Sequence, residues 1–285
     1  MLGRIAHVFL VASGVVLLGL GSFWGLTRAP AERFMGEVQR IMYVHVPTAW
    51  IALLCLVAAF AFAVGFLATR RWRLDAFLEA SVEVGVVLSF LLCVQGAIWA
   101  KPTWGVWWDW DPRLTTVAVM LFAFVGVLAL RRFVQDPARR AVWSSLATIL
   151  AFADVPIVYF SVRWWSSLHQ MQSSPQTVDP AMVLPLRLSA FGMLFLAAGF
   201  VLIRARLAEQ RLASELAPPP ELSASKSPTP NPARARGAAP DSRRDMNGVI
   251  QGGWSFVVAA YAATAAVLSA YGLSLWLRSR EASRR

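Results

Sequence analysis

The chain has 285 residues, 57% of them hydrophobic and only 15% charged, with a mean hydropathy of +0.54. A soluble globular chain carries about 25% charged residues, and here the deficit falls in long uncharged runs, the mark of a bilayer-embedded protein. The net charge of +11 lies in short arginine clusters between apolar runs, which speaks for membrane topology and against nucleic acid as a partner.

A membrane-spanning helix needs about 20 mainly apolar residues. Seven stretches qualify, so the expected fold is all-α: a polytopic helical bundle of six spans with a seventh appended. The first, near 5–24, has too long an apolar run for a signal peptide and no A-x-A site after it, so it reads as a retained helix. The second, near 49–68, is approached through Tyr43-Val44-His45-Val46-Pro47. The third, near 80–100, leads into Trp104-Gly105-Val106-Trp107-Trp108-Asp109-Trp110-Asp111-Pro112-Arg113, which opens the fourth, near 114–130. The fifth, near 141–162, is followed by Trp164-Trp165-Ser166-Ser167-Leu168-His169-Gln170, and the sixth covers 182–203. The stretch 213–247 is rich in Pro, Ala and Ser, as in Pro218-Pro219-Pro220, and reads as a disordered linker. A lone span near 249–277 and a basic tail complete the chain. Three units are therefore expected: 1–212 with six spans, the linker 213–247, and 248–285 with one span.

Arginine placement gives the sidedness. Arg70, Arg71 and Arg73 follow the second span, Arg131, Arg132, Arg139 and Arg140 the fourth, and Arg204, Arg206 and Arg211 the sixth. The positive-inside rule puts these loops and the N-terminus in the cytoplasm. By parity His45, the tryptophan-rich stretch and His169 then share the outer face, with His7 at the opposite one. The direction of the seventh span stays open, because Arg234, Arg236, Arg243 and Arg244 before it balance Arg278, Arg280, Arg284 and Arg285 after it.

The outer constellation carries the chemistry. Interfacial tryptophan is ordinary, but Trp104, Trp107, Trp108 and Trp110 fall within seven residues. A platform of flat rings beside two histidines on the same side suits a large planar ligand that carries a metal. Haem fits: imidazole is a common axial ligand, and its pocket is apolar and aromatic. Arg40 and Arg113 are suited to its propionates. Asp111-Pro112 reads equally as a cap and first-turn proline of the fourth span. Glu83 and Asp154 lie within spans and should face the bundle interior; their role stays open. Cys55 and Cys93 sit in apolar runs without a C-x-x-C pair, so they read as packing residues. The chain has no C-x-x-C-H haem-attachment motif and no phosphate-binding G-x-x-x-x-G-K-[ST] loop, so it is neither a c-type cytochrome nor an ATPase.

These residues resemble the tryptophan-rich "WWD" haem-handling proteins, and the tyrosine-valine-histidine and tryptophan-tryptophan stretches with six spans single out the CcmC family of cytochrome c maturation system I. The resemblance covers about residues 1–210. It implies no enzymatic activity but a role in holding haem b as transient cargo at the periplasmic face of the bacterial inner membrane and passing it to a membrane-anchored, CcmE-like haem chaperone, with CcmA- and CcmB-like ABC transporter subunits as partners. His45 and His169 match the family's haem-ligand histidines. Trp104, Trp107, Trp108, Trp110, Asp111 and Arg113 match its tryptophan motif, and Arg40 matches an arginine linked to haem and the chaperone. Two positions depart from the pattern: Arg163 stands where an acidic residue is expected and Asp154 where asparagine is common. Trp254-Ser255-Phe256-Val257 and Ala260-Tyr261, with the apolar run and arginine tail, are similar to the single-span CcmD, and Met246 marks a start for such a unit. Two other classes compete: a b-type membrane cytochrome exchanging electrons with quinone, and a transporter moving haem or a small solute past Glu83, Asp154 and Arg187.

Overall fold

Peptide groups inside a bilayer have no water to bond, so an apolar run must close its hydrogen bonds within a helix. The computed structural model describes residues 2–169, 178–216 and 253–282. Their elements are α1 (Leu2–Thr27), a 3-10 turn (Glu37–Ile41), α2 (Met42–Thr69), α3 (Trp72–Trp104), α4 (Pro112–Phe133), α5 (Pro137–Phe152), α6 (Asp154–Trp164), α7 (Pro180–Leu216) and α8 (Trp254–Ala282). Among the described residues seven helices, counting α5 and α6 as one, are long and apolar enough to cross a membrane. The protein is an all-α polytopic membrane bundle, as expected. Large apolar side chains such as Phe9, Phe122 and Leu150 face outward, which suits lipid as the surrounding solvent.

The helices outrun the apolar stretches that announced them. α7 continues to Leu216, four residues into the stretch read as linker, because its polar end is paired: Glu209 with Arg73 and Glu215 with Arg140. Residues 217–247, the rest of that stretch, lie outside the described residues. The fifth span is broken where one helix was expected, with Ala153 separating α5 from α6. Pro156 is the cause: it has no N–H to give the carbonyl of Phe152, and its ring crowds that carbonyl.

α3 is the axis of the bundle and touches the 3-10 turn, α2, α4, α5, α7 and α8. On one side of it α2, α4, α5 and α6 enclose a core around Leu56, Met120 and Phe124. On the other, α7 and α8 pack around Leu88, Met193 and Phe200. α1 runs antiparallel to α7 at close range, because glycines remove the side chains that would hold the backbones apart. A Cβ on Gly14 would stand 2.7 Å from the Leu196 backbone nitrogen, and one on Gly192 would collide with the backbone of Leu18.

One end of the bundle holds an ionic network. Arg131 grips Asp75 with both terminal nitrogens (2.7 and 2.8 Å) and also bonds Glu79 at 2.8 Å. Arg204 bonds Glu79, and Glu83 at 2.6 Å, while Arg211 reaches Glu79 at 2.6 Å and Arg278 reaches Glu83 at 2.8 Å. Glu83 thus faces the interior and is fully engaged. This arginine-rich end lies opposite the end that carries His45 and the tryptophans, called the site end below.

Candidate ligand-binding site

His45 lies in the first turn of α2, and the chain before it is firmly held. Arg40 donates to the carbonyls of Gly25 (2.5 Å) and Ala29 (2.9 Å) and pairs with Glu37. Tyr43 packs on Gly25, where a Cβ would strike its ring. The His45 ring is buried and meets the edge of Trp99 at 5.3 Å between centroids. Gly96, one turn before Trp99, leaves the space beside it: a Cβ there would sit 3.5 Å from the imidazole.

His169 arrives by another route. After α6 the chain is extended, and it is pinned by one carboxylate. Asp111 caps α4 by accepting from the Arg113 N–H at 2.9 Å, with Pro112 at the first helical position. Its second oxygen accepts from the Leu168 N–H at 2.8 Å, and the His169 N–H donates to Ser167 Oγ at 3.0 Å. The cap and first-turn proline read from Asp111-Pro112 are both present. The turn out of α3 depends on Gly105, whose φ of 78° is left-handed and closes the helix onto the Lys101 carbonyl at 3.0 Å.

These elements bring the two imidazoles within 6.4 Å between centroids, tilted by 41°, with Trp104 at 5.7 Å from His169. Nδ1 of both rings is buried and has no hydrogen-bond partner among the described residues. Burial first, and then the nearby Arg113 cation, push the His169 pKa down to about 4 against the opposing pull of Asp111. Burial works against the charge on Asp111, but hydrogen bonds from Ser167 and from the N–H groups of Leu168, Arg113 and Leu114 outweigh it, so its pKa falls below the usual value. At neutral pH His169 is therefore a neutral donor, and Asp111 a carboxylate.

The rings stand at the head of a cavity of about 630 Å³ between α2, α3, α4 and α6, within the size range of cofactor sites. Of the residues assigned to the ligand in the sequence, His45, His169, Trp104, Trp108 and Arg113 line it, and so does Cys93, read there as a packing residue. A terminal guanidinium nitrogen of Arg113 is buried there and has no partner among the described residues. Trp107 and Trp110 lie outside, exposed; Trp107 packs on Phe256 and Trp110 on the edge of Trp108. Asp111 acts behind the wall. Arg40 is not brought to the cavity, since its guanidinium is held by the Gly25 and Ala29 carbonyls and stands over the Trp254 ring. Arg163 and Asp154 do not line the cavity either.

Sequence reasoning passed over Trp99, Trp50, Tyr159 and the apolar floor of Leu53, Leu92 and Val117. The signal for Trp99 was present: Gly96, Trp99, Ala100 and Thr103 follow the i, i+3, i+4, i+7 spacing of one helix face, and all four line the cavity.

The comparisons with known proteins bear on residues 1–216, which match the family model described as CcmC, heme exporter protein C. The chain belongs to the CcmC family. Heme exporter protein C of Escherichia coli K12 is 38% identical over 200 residues, 70% of this chain and 81% of that protein. The Haemophilus influenzae protein of the same name is 37% identical over 209 residues, 72% of this chain and 85% of its own length. A ccmC-like mitochondrial protein named for cytochrome c biosynthesis, from Marchantia polymorpha, is 34% identical over 201 residues, 70% of this chain and 82% of its own. The CcmC match ends at residue 216, where α7 ends; α8 lies beyond it. Both histidines, the four tryptophans, Asp111 and Arg113 fall inside the CcmC-matched part.

Proposed function

We propose that this CcmC-family chain holds haem b as cargo at the periplasmic face of the inner membrane and delivers it to a membrane-anchored, CcmE-like haem chaperone during c-type cytochrome biogenesis. The observation that carries the reading is the pair of buried imidazoles, 6.4 Å apart and with unpaired Nδ1 atoms, over an aromatic cavity. Two imidazoles on opposite sides of one metal, each bonded at about 2 Å, have centroids roughly 6 Å apart, so little rearrangement is needed to admit an iron between them. Trp99, Trp104 and Trp108 supply flat apolar walls that keep water from the ring. Arg113, with an unsatisfied buried nitrogen, is the cation available for a propionate. The names of the relatives support haem as the cargo and cytochrome c assembly as the setting.

Sidedness follows from the arginine-rich end, which the positive-inside rule assigns to the cytoplasm. Exposed Trp107 and Trp110 beside the cavity then offer the chaperone an aromatic surface on which to collect the ligand. CcmA- and CcmB-like ABC subunits supply the work of release, and α8 acts as a CcmD-like unit on the six-span unit. Glu83 is bonded to Arg204 and Arg278, which disfavours a polar transport path through it.

Absorption spectra of the purified protein test the proposal. His45→Ala and His169→Ala should each lower the haem Soret band per protein by about tenfold or more, while the monodisperse elution of the protein is kept. Unchanged haem in both folded variants rejects the site.

A further inference from the structure

The two last helices run in the same direction. α7 starts at the site end, where Ser189 packs on Gly21, and finishes at the arginine-rich end, where Arg204 bonds Glu83 and Glu215 pairs with Arg140. α8 also starts at the site end. Gly253 lies against Val38, the Arg40 guanidinium stands 5.5 Å over the Trp254 ring, and the Tyr261 hydroxyl donates to the Arg40 carbonyl at 3.2 Å. Farther along α8, Gln95 on α3 donates to Thr264 at 2.8 Å, and at the arginine-rich end Tyr271 and Arg278 donate to Glu83 at 3.3 and 2.8 Å. These contacts run the length of the helix and fix its direction.

Residues 217–252 would therefore have to pass from one face of the membrane to the other. Reach is no obstacle, since the stretch extends to about 120 Å. Its sequence is the obstacle. It carries Glu221, Lys226, Arg234, Arg236, Arg243 and Arg244 and is interrupted by proline from Pro218 to Pro240. Such a stretch can neither close its own peptide hydrogen bonds across the hydrocarbon nor leave its charges there.

We propose that α8 works as a separate polypeptide that begins at or close to Met246 and docks on the six-span unit from its own insertion into the membrane. The division takes place before α8 inserts, either by independent initiation at Met246 or by hydrolysis of one nearby peptide bond, in which water is consumed and a carboxylate and an amino terminus are left. Residues 246–253 contain no charged side chain, so the amino terminus is the one charge this head takes across to the site end. Arg278 and Arg280, with the terminal Arg284 and Arg285, stay behind, and the piece obeys the positive-inside rule that an intact chain breaks. The docking surface is the groove of the 3-10 turn, α3 and α7, with Gln95 and Glu83 as its polar fixed points. The division is independent of what the cavity holds.

The test uses the full coding sequence with different tags at the two ends, expressed in bacteria that are lysed directly in hot denaturant. The C-terminal tag is expected on a short fragment whose first residue is at or near Met246, and that fragment should co-purify with the N-terminal tag in mild detergent. Both tags on a single full-length species, 31.3 kDa plus the mass of the tags, would overturn the proposal. A second arm places Asn247→Cys in a chain carrying Cys55→Ala and Cys93→Ala. Labelling of intact cells by a membrane-impermeant maleimide supports the proposed direction, and labelling only after permeabilisation overturns it.

Discussion

Asp111 serves two parts of the chain with two oxygens: one caps α4, the other holds the peptide next to His169. Asparagine separates these roles, because its single amide oxygen can keep the cap while its NH2 cannot accept from Leu168. Asp111→Asn should thus fold with near-native thermal stability and lose haem affinity, whereas Asp111→Ala should also lose about 1 kcal/mol of stability from the cap; haem titration and thermal melting of the two variants separate the effects. His169 yields a pH expectation. Its unfolded pKa is near 6.5 and its folded pKa about 4, so between those values the unfolded chain takes the proton and the folded chain does not. The stability it contributes is present above pH 6.5 and lost as the pH falls toward 4. Melting temperatures of the haem-free protein should fall more steeply across that window than those of His169→Gln. The residue types of the site were legible because histidines and clustered indoles are rare at such density. The direction of a side chain was not. Arg40 looks like a second propionate partner in sequence, yet two backbone carbonyls 15 and 11 positions before it take its guanidinium.

At the scale of elements, the apolar runs marked every span, since a bilayer demands them; what ended or broke each helix was less visible. Pro156 sits inside the fifth apolar run and divides it, and polar pairing carries α7 past the apolar run 182–203 to Leu216. The acidic face of α3 is the clearest case of a pattern that was present but unread. Asp75, Glu79 and Glu83 recur every four residues and so share one face, and Arg131 of α4, Arg204 and Arg211 of α7 and Arg278 of α8 converge on it. Arginines taken only as markers of sidedness also stitch the helices together. Glu79 is the centre, accepting from Arg131, Arg204 and Arg211. Glu79→Ala leaves buried Arg131 and Arg204 with Asp75 and Glu83 as their remaining carboxylates and should cost about 3 kcal/mol, read as a large drop in the melting temperature in detergent. Glu79→Gln, which keeps an acceptor, should lose less.

For the whole molecule, the span count followed from the apolar runs, and the grouping of His45 and His169 at one face from parity. The direction of α8 did not, because it depends on contacts such as Gln95 with Thr264 that join residues far apart in the chain and obey no local rule. The cavity has the same long-range character. Its first imidazole leaves the ribosome with α2 and its second only after α6, more than a hundred residues later, and the carboxylate that steadies the second comes from between them. On the proposed haem reading, the growing chain is thus unable to close its two imidazoles on one ligand until five crossings are complete, and a product truncated before that point carries His45 without its partner.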